Sequence, residues 1–423
     1  MQASGGRRVT VYGHVEAVRV KGKIAFITIR TFDGEEQVTI KKGVAPEEVW
    51  RAIEEIGREY LIRVDGVMVE SKIARLGREI LPERIAVVAP SKPTPIDLYG
   101  KVEAEWPTRL RYRYLDIRRP RVKAIFRVRS TLMAAAREFL RREGFVELTF
   151  PIIIATATEG GAELFPVDYF GRRAFLAQSS QLYKQSAVPA FGRVFSIAPS
   201  FRAEKSRTRK HLTEFWQIDV EAALVTKRDL MDLQFRLVNS VVERILEENE
   251  RDLEILGVAD LEPWSGYDVI SYDEALETLR RKGFEIEWGD DFGADEERAL
   301  VEEFDRPFFI PEFPASVTAF YYMVDREDPR IAHRIDMMGP GRYGVEWSSG
   351  GLREHEPDRL RARMEAMGLN PESFGWYLEM FEYGFPPHGG FGMGVERLLQ
   401  TLLRLERIHE AALYPRTPDI LEP

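Results

Sequence analysis

RVFSIAPSFRAEKSRTRKHLTEFWQIDVE, Arg193 to Glu221, is the stretch on which the reading of the whole chain turns. Apolar residues recur on both sides of a polar middle, so it reads as two strands joined by a long loop. The loop holds Lys205, Arg207, Arg209, Lys210 and His211, and Arg202 and Glu204 stand at its entrance. So many fixed cations suit a triphosphate lying beside a carboxylate, because an arginine can clamp both groups as negative charge builds between them. A basic hairpin also serves as a plain nucleic-acid loop. The FRAE entrance favours the first reading.

Two further stretches flank it. Upstream, AIFRVRSTLMAAAREFLRREGFVELTFPIII (Ala124 to Ile154) gives a long amphipathic helix ending at Gly144, then a strand broken by Pro151. Downstream, GGFGMGVERLLQTLLRL (Gly389 to Leu405) is a glycine-rich strand running into a helix whose first turn presents Glu396 and Arg397. Glycines let a nucleotide approach the backbone closely, and Arg397 can lie flat against an adenine ring or pair with a terminal phosphate. A glycine cluster before a helix says little alone; its position after the other two stretches gives it weight.

The first 95 residues have a different texture. VTVYGHVEAVRV, KIAFITIR, QVTIKK, YLIRVDGVMVE and EILPERIAVV read as short strands, with Asp33-Gly34 turning one hairpin. One helix interrupts them, where Val49, Ile53, Ile56 and Tyr60 recur at helical spacing. Five strands with a helix between the third and fourth give the order of an OB-type barrel, a fold that often binds single-stranded nucleic acid. The Pro-rich APSKPTPIDLYG then marks a joint, so the expected layout is a barrel over 1–95, a linker over 96–112 and a larger domain over 113–423. There helices alternate with short apolar strands, and the expected class is α+β with helices packed around a largely antiparallel sheet. Residues 255–315 carry few interpretable features and are expected to form an inserted subdomain.

Of the 423 residues, 44% are apolar and 30% charged, and there is no cysteine. That excludes a disulfide framework, a thiolate zinc site and a cysteine nucleophile, leaving oxygen and imidazole to hold any metal. No run of eighteen apolar residues occurs and the start moves directly into strand-like alternation, so no membrane partner and a cytoplasmic location are expected. The net charge of −9 divides unevenly: residues 1–95 carry 16 Lys+Arg against 13 Asp+Glu, or +3, leaving −12 for the remainder. Only local basic surface can meet RNA, and the densest run is Arg109 to Arg129, with nine basic residues against Asp116 alone.

The three stretches, in this order over some 300 residues, resemble the three signatures of class II aminoacyl-tRNA synthetases of the aspartyl/asparaginyl branch. IIATATEGGAELFPVDYF, FLAQSSQLYKQ, VEWSSGGLREH and GLNPESFGWYLEMFEYGFPPHGGFGMGVERL are similar to runs of the archaeal type of aspartyl-tRNA synthetases. The resemblance implies an OB-fold anticodon-binding domain ahead of a class II catalytic domain, a homodimer built partly on the first stretch, and ATP and Mg²⁺ at the site. It implies that Glu159, Gln181, Leu182, Tyr183, Lys184, Arg202, Ser349 and Arg353 contact L-aspartate. Arg202, Ala203, Glu204, Lys210, His211, Leu212, Phe215, Glu346, Gly394, Val395, Glu396 and Arg397 would hold ATP, with adenine between Phe215 and Arg397. Glu346 and Ser349 would bind Mg²⁺, Asp336 and Asp219 would be outer contacts, and Arg202, Glu346 and Arg397 would carry the catalysis.

The choice of amino acid has a physical basis. A side-chain carboxylate calls for two cationic donors, whereas an amide calls for one donor and one acceptor. Lys184 and Arg353 supply two cations, which favours aspartate. RAEKSRTRKHLTEFW is closer to the asparaginyl pattern, while Lys184 in QLYK and Asp219 in QIDVE are closer to the aspartyl one. Asparaginyl-tRNA synthetase is therefore the alternative. A non-catalytic RNA-binding paralogue is disfavoured by the presence of Arg202, Glu346, Arg353 and Arg397. The barrel would read the tRNA(Asp) anticodon by stacking and edge hydrogen bonds, with Phe26, Thr28, Arg30, Gln37 and Arg75 as candidates. The family's tryptophan after the first-strand glycine is His14 here, and whether tRNA(Asn) is also charged turns on such details.

Overall fold

The computed structural model describes residues 6–100, 102–156, 164–204 and 211–423. Strands β1 (Arg7–Lys21), β2 (Ile24–Arg30), β3 (Glu35–Lys41), β4 (Leu61–Glu70) and β5 (Arg78–Ala89) close into a barrel of order β1-β2-β3-β5-β4. Alternation drives it: Ala25, Ile27 and Ile29 of β2, Val38 and Ile40 of β3, and Ile62 and Val64 of β4 point inward and are fully buried. One half of β1 pairs with β4 and the other with β2, and a register shift between Val15 and Ala17 lets the strand bend from one partner to the next. Helix α1 (Glu47–Glu55) follows β3 and buries Val49 and Ile53 against the same core. The expected OB-type barrel is what these strands form, between Arg7 and Ala89.

The chain divides into the units Met1–Arg119 and Pro120–Pro423. Residues 90–119 thus belong with the barrel, including the short helices α2 (Trp106–Arg111) and α3 (Arg113–Asp116). Here part of the basic run is turned inward. Asp116 is fully buried, and Arg109, Arg113 and Arg119 close on it with contacts of 2.9, 2.5 and 3.5 Å. A lone buried carboxylate needs counter-charges, and the neighbouring arginines supply them.

In the second unit the strands are β6 (Val146–Glu147), β7 (Ile153–Ile154), β8 (Pro166–Tyr169), β9 (Arg172–Leu176), β10 (Arg193–Phe201), β11 (Glu214–Ala223), β12 (Asp268–Val269), β13 (Phe308–Pro314), β14 (Ile331–Met338), β15 (Glu346–Arg353) and β16 (His388–Gly394). Eight of them form a sheet of order β12-β13-β14-β15-β16-β11-β10-β6, antiparallel except at its two ends, and β7-β9-β8 form a smaller sheet. Helices α4 (Pro120–Arg142) and α6 (Lys227–Glu248) cover one face, burying Leu132, Leu237 and Val241 against Ile218, Val220, Met337 and Phe391. Because strand side chains alternate, Gln217, Asp219, Arg334, Asp336 and Glu346 then belong to the opposite face. Helix α5 (Gln181–Phe191) lies on that face against β11.

Residues 255–315 run from the end of α7 (Glu250–Leu256) through β12, α8 (Tyr272–Arg281) and α9 (Ala294–Val301) into β13. They have their own apolar cluster of Tyr272, Leu276, Leu300 and Phe308, but β12 and β13 extend the main sheet. Helices α10 (Pro357–Ala366) and α11 (Gly375–Met380) pack Leu360, Met364, Tyr377 and Leu378 with Phe320 and Leu182. Helix α12 (Val395–Leu402) follows β16 directly, with Gly394 at its start.

Candidate active site

On the uncovered face of the large sheet lies a cavity of about 620 Å³. Gln181, Lys184, Arg202, Glu204, His211, Leu212, Phe215, Glu346, Ser349, Arg353, Gly394, Glu396 and Arg397, named from sequence, all line it. Stretches far apart in the chain therefore meet in one place.

At one side two cations converge on one carboxylate. Lys184 reaches from α5 to Glu221 Oε2 at 3.5 Å, Asp219 Oδ1 at 3.3 Å and the Phe391 carbonyl at 3.3 Å. Arg353, at the end of β15, donates through Nε to Glu221 Oε1 at 3.1 Å and through NH2 to the Gly390 carbonyl at 2.9 Å. Both are about 1% exposed, and Glu221 is fully buried. Burial alone would raise the Glu221 pKa, but Arg353 and Lys184, with His388, hold it below the ordinary carboxylate value. The guanidinium of Arg353 also lies 4.8 and 5.2 Å from the ring centres of Tyr322 and Tyr321. Its remaining nitrogen is buried with no hydrogen-bond partner among the described residues. Glycine at 390 is required here, because a Cβ would collide with the Val220 carbonyl and the Glu221 carboxylate.

Behind this pair lies a buried chain of neutral groups. The Tyr377 hydroxyl donates to Gln185 Oε1 at 2.9 Å, and the Gln185 amide meets His388 Nε2 at 2.7 Å. His388 Nδ1 lies 3.0 Å from the Pro386 carbonyl, which makes it the protonated nitrogen and Nε2 the acceptor. Burial pushes His388 down to about 4, so the ring is neutral at pH 7.

At the other side, Arg397 donates to Glu346 Oε1 at 2.8 Å. The second Glu346 oxygen lies 4.0 Å from Arg334, which grips Asp336 through contacts of 3.1 and 2.6 Å. Burial and the nearby Glu346 push Asp336 up to about 7, against the pull of Arg334. Phe215 lies in β11 with the Arg202 guanidinium 5.2 Å from its ring centre, and Arg202 takes its place through a backbone bond to Thr213. Leu212 packs with Ile408 and Phe215 beneath this surface.

Some named residues take other positions. Leu182 and Val395 are buried in apolar clusters, Tyr183 stacks on Trp376 at 5.2 Å, and Ala203 lies beside the cavity without lining it. Glu396 lines the cavity, yet both its oxygens are engaged: Oε1 accepts from Arg129 of α4 at 2.6 Å and Oε2 from the Trp216 backbone at 2.9 Å. It ties α4, α12 and β11 together rather than presenting a free carboxylate. Glu159 and Lys210 fall outside the described residues. In the barrel, Phe26, Thr28 and Gln37 are partly exposed on β2 and β3, with Gln37 bonded to Thr39 and Glu79. Arg75 is exposed and paired with Glu35. Arg30 is buried on Glu59 at 2.9 Å, its guanidinium 4.9 Å from the Tyr99 ring centre, and so is not presented to a base. Glu221, Gln217, Arg334 and Asp291 were not singled out from sequence. The alternation of Gln217, Asp219 and Glu221 in QIDVE is the signal that would have found the first two.

Among the described residues no group of three His, Asp or Glu side chains can cage a metal ion unaided. Mg²⁺ commonly takes one or two carboxylates and completes its shell with phosphate oxygens and water. Glu346, with Ser349 and Asp336 close to it across β14 and β15, offers hard oxygen donors of that kind.

The family of class II tRNA synthetases for D, K and N matches residues 105–418. An aspartate–tRNA(Asp) ligase of Pyrococcus abyssi is 44% identical over 99% of this chain and 97% of its own length. An asparagine–tRNA ligase of the same organism is 43% identical over 99% and 96%. The crystal structure of asparaginyl-tRNA synthetase from Pyrococcus horikoshii with asparaginyl-adenylate superposes with a TM-score of 0.94 at 42% identity, covering 99% of this chain and 96% of that one. With both aspartate and asparagine ligases at such similar identity, the chain belongs to the class II aminoacyl-tRNA synthetases of the aspartyl/asparaginyl type.

Proposed function

We propose that the chain activates L-aspartate with ATP and transfers it to the 3′ end of tRNA(Asp), with tRNA(Asn) as a second candidate acceptor. The observation that carries the reading is the convergence of Lys184 and Arg353 on opposite oxygens of Glu221 in one cavity. Two buried cations in the wall of one cavity favour a carboxylate over an amide. The aspartate α-carboxylate would attack the α-phosphorus of ATP, forming aspartyl-adenylate and releasing pyrophosphate. Arg202 would meet the charge that develops between the two groups, and Phe215 and Arg397 would hold the adenine. Mg²⁺ held by Glu346, with Ser349 beside it, would supply neutralisation of the phosphates. The adenylate would then pass to the terminal ribose hydroxyl without any protein nucleophile.

A second reading, asparagine, is favoured by one feature of the same pocket. Asp219 and Glu221 already balance Lys184 and Arg353, so a neutral side chain would leave no net charge and would find acceptors for its amide hydrogens. Exchange of labelled pyrophosphate into ATP separates the two. Aspartate-dependent exchange supports the proposal; asparagine-dependent exchange with none for aspartate selects the alternative. Exchange with neither removes both and favours the RNA-binding paralogue.

The homodimer is part of the proposal. Val146 on the edge strand β6, Ile152, and Ile153 on β7 of the smaller sheet are exposed apolar groups of the kind a second copy would cover. Phe26, Thr28, Gln37 and Arg75 are retained as the barrel's anticodon candidates.

A further inference from the structure

The 255–315 segment reaches the cavity through one side chain, Asp291, and that side chain holds Arg334. The guanidinium of Arg334 has two unequal edges. Its Nε and NH2 are locked on Asp336, buried at 3.1 and 2.6 Å, and it lies 4.2 Å from the centre of the Phe313 ring. Those contacts fix its plane from the protein side. The other nitrogen, NH1, has only Asp291 Oδ1, at 3.2 Å, among the described residues. The Asp291 side chain is 50% exposed against 13% for Arg334, and the same Oδ1 already accepts from the Phe292 backbone at 3.1 Å. One edge is therefore built in, and the other is held by a solvated carboxylate that is easily exchanged.

The neighbours of Arg334 place its guanidinium on the nucleotide side: NH2 is the nitrogen nearest Glu346, and Asp291, the partner of NH1, lines the same cavity. Glu346 stands between Arg397, 2.8 Å from one oxygen, and Arg334, 4.0 Å from the other. A triphosphate reaching from an adenine near Arg397 toward Glu346 meets Arg334 next. Phosphate and carboxylate are alternative partners for one guanidinium edge, and the polyanion repels the carboxylate it replaces.

Resting on the reading of the cavity as an ATP site, we propose that Arg334 is a further binding residue for the polyphosphate of ATP. Asp291 is its resident stand-in, occupying the free edge until a phosphate oxygen displaces it. The role of the 255–315 segment at the site is then to keep that cation oriented and neutralised while no nucleotide is bound.

The two side chains should act with opposite sign, which a merely structural pair would not do. Equilibrium titrations of the full chain with ATP and with AMP, at one fixed Mg²⁺ concentration, read this directly. Arg334→Ala should weaken ATP binding by about tenfold or more, the weight of one charge-assisted contact, and leave AMP within about twofold. Arg334→Lys should recover part of the loss. Asp291→Asn keeps the shape, removes the competing charge and should tighten ATP by about two- to fivefold, with AMP unchanged. Melting curves of each variant identify any that fail to fold. If Asp291→Asn weakens ATP, or if folded Arg334→Ala and Arg334→Lys both bind ATP as the wild type does, the proposal is overturned. Equal losses for ATP and AMP would likewise assign Arg334 to the framework. Failure of the parent reading is separate: the wild type itself would then support exchange with neither amino acid.

Discussion

Lys184 has given up nearly all contact with water, and its compensation is three acceptors within 3.5 Å, two of them carboxylate oxygens. Replacing it by leucine leaves Asp219 and Glu221 with Arg353 as the remaining cation at this point. Breaking one partner from a buried ionic group typically costs about 3–5 kcal/mol, so the variant should lose stability as well as substrate. For Lys184→Leu we expect kcat/KM for aspartate to fall by about a hundredfold or more, roughly 2.7 kcal/mol, while ATP affinity stays within about threefold. Unchanged aspartate kinetics in a folded Lys184→Leu would take away the cation argument. Much of this site was legible because residue type and spacing carry it: Arg202 at a loop entrance, Glu396 and Arg397 after a glycine strand. Glu221 and Arg334 were not legible. A glutamate in a strand or an arginine two places before an aspartate is ordinary in sequence, and only the sheet register makes each a partner of a distant side chain.

Two elements meet the cavity through buried contacts that their own periodicity does not announce. The first turn of α12 is tied by Glu396 to Arg129 of α4 and to the β11 backbone beside Phe215. Glu396→Gln would turn an amide hydrogen toward Arg129. It should cost about 3 kcal/mol in urea unfolding and raise the ATP KM more than the amino-acid KM. A loss in both KM values alike would mean that α12 does not position the nucleotide selectively. In β16, His388 faces Glu221, Arg353 and His355, and burial holds its folded pKa near 4 against an ordinary 6.5. The unfolded chain therefore binds this proton more readily. The His388 contribution is fully present above pH 6.5 and is lost as pH falls toward 4, by about 3 kcal/mol in all. His388→Gln should flatten that part of the stability curve, and an identical slope in the variant would contradict the assignment. Long helices such as α4 and α6 were readable from spacing, as were the barrel strands from alternation. The two-residue strands β6, β7 and β12 were not, since so short a pairing is set by neighbours rather than by its own residues.

Across the molecule, net charge says little about function. The remainder beyond the barrel is strongly acidic, yet its cavity gathers Lys184, Arg202, Arg334, Arg353 and Arg397 on one sheet face. The densest basic run folds three of its nine basic residues onto Asp116, so linear charge density overstates the charge that this run presents to solvent. The barrel and a largely antiparallel sheet were visible in the order of their elements, and the class II character in the resemblance of the three stretches. The 255–315 segment was not, because its contribution to the cavity is a single carboxylate on a loop. The two buried cations, although balanced by Asp219 and Glu221, are expected to prefer a carboxylate to an amide. The most direct measurement compares the dissociation constants of the non-hydrolysable aspartyl and asparaginyl sulfamoyl-adenosine analogues on the wild-type chain by titration calorimetry. Aspartyl binding should be tighter by about a hundredfold, near 2.7 kcal/mol; equal affinities, or tighter asparaginyl binding, would mean that Lys184 and Arg353 do not select the carboxylate.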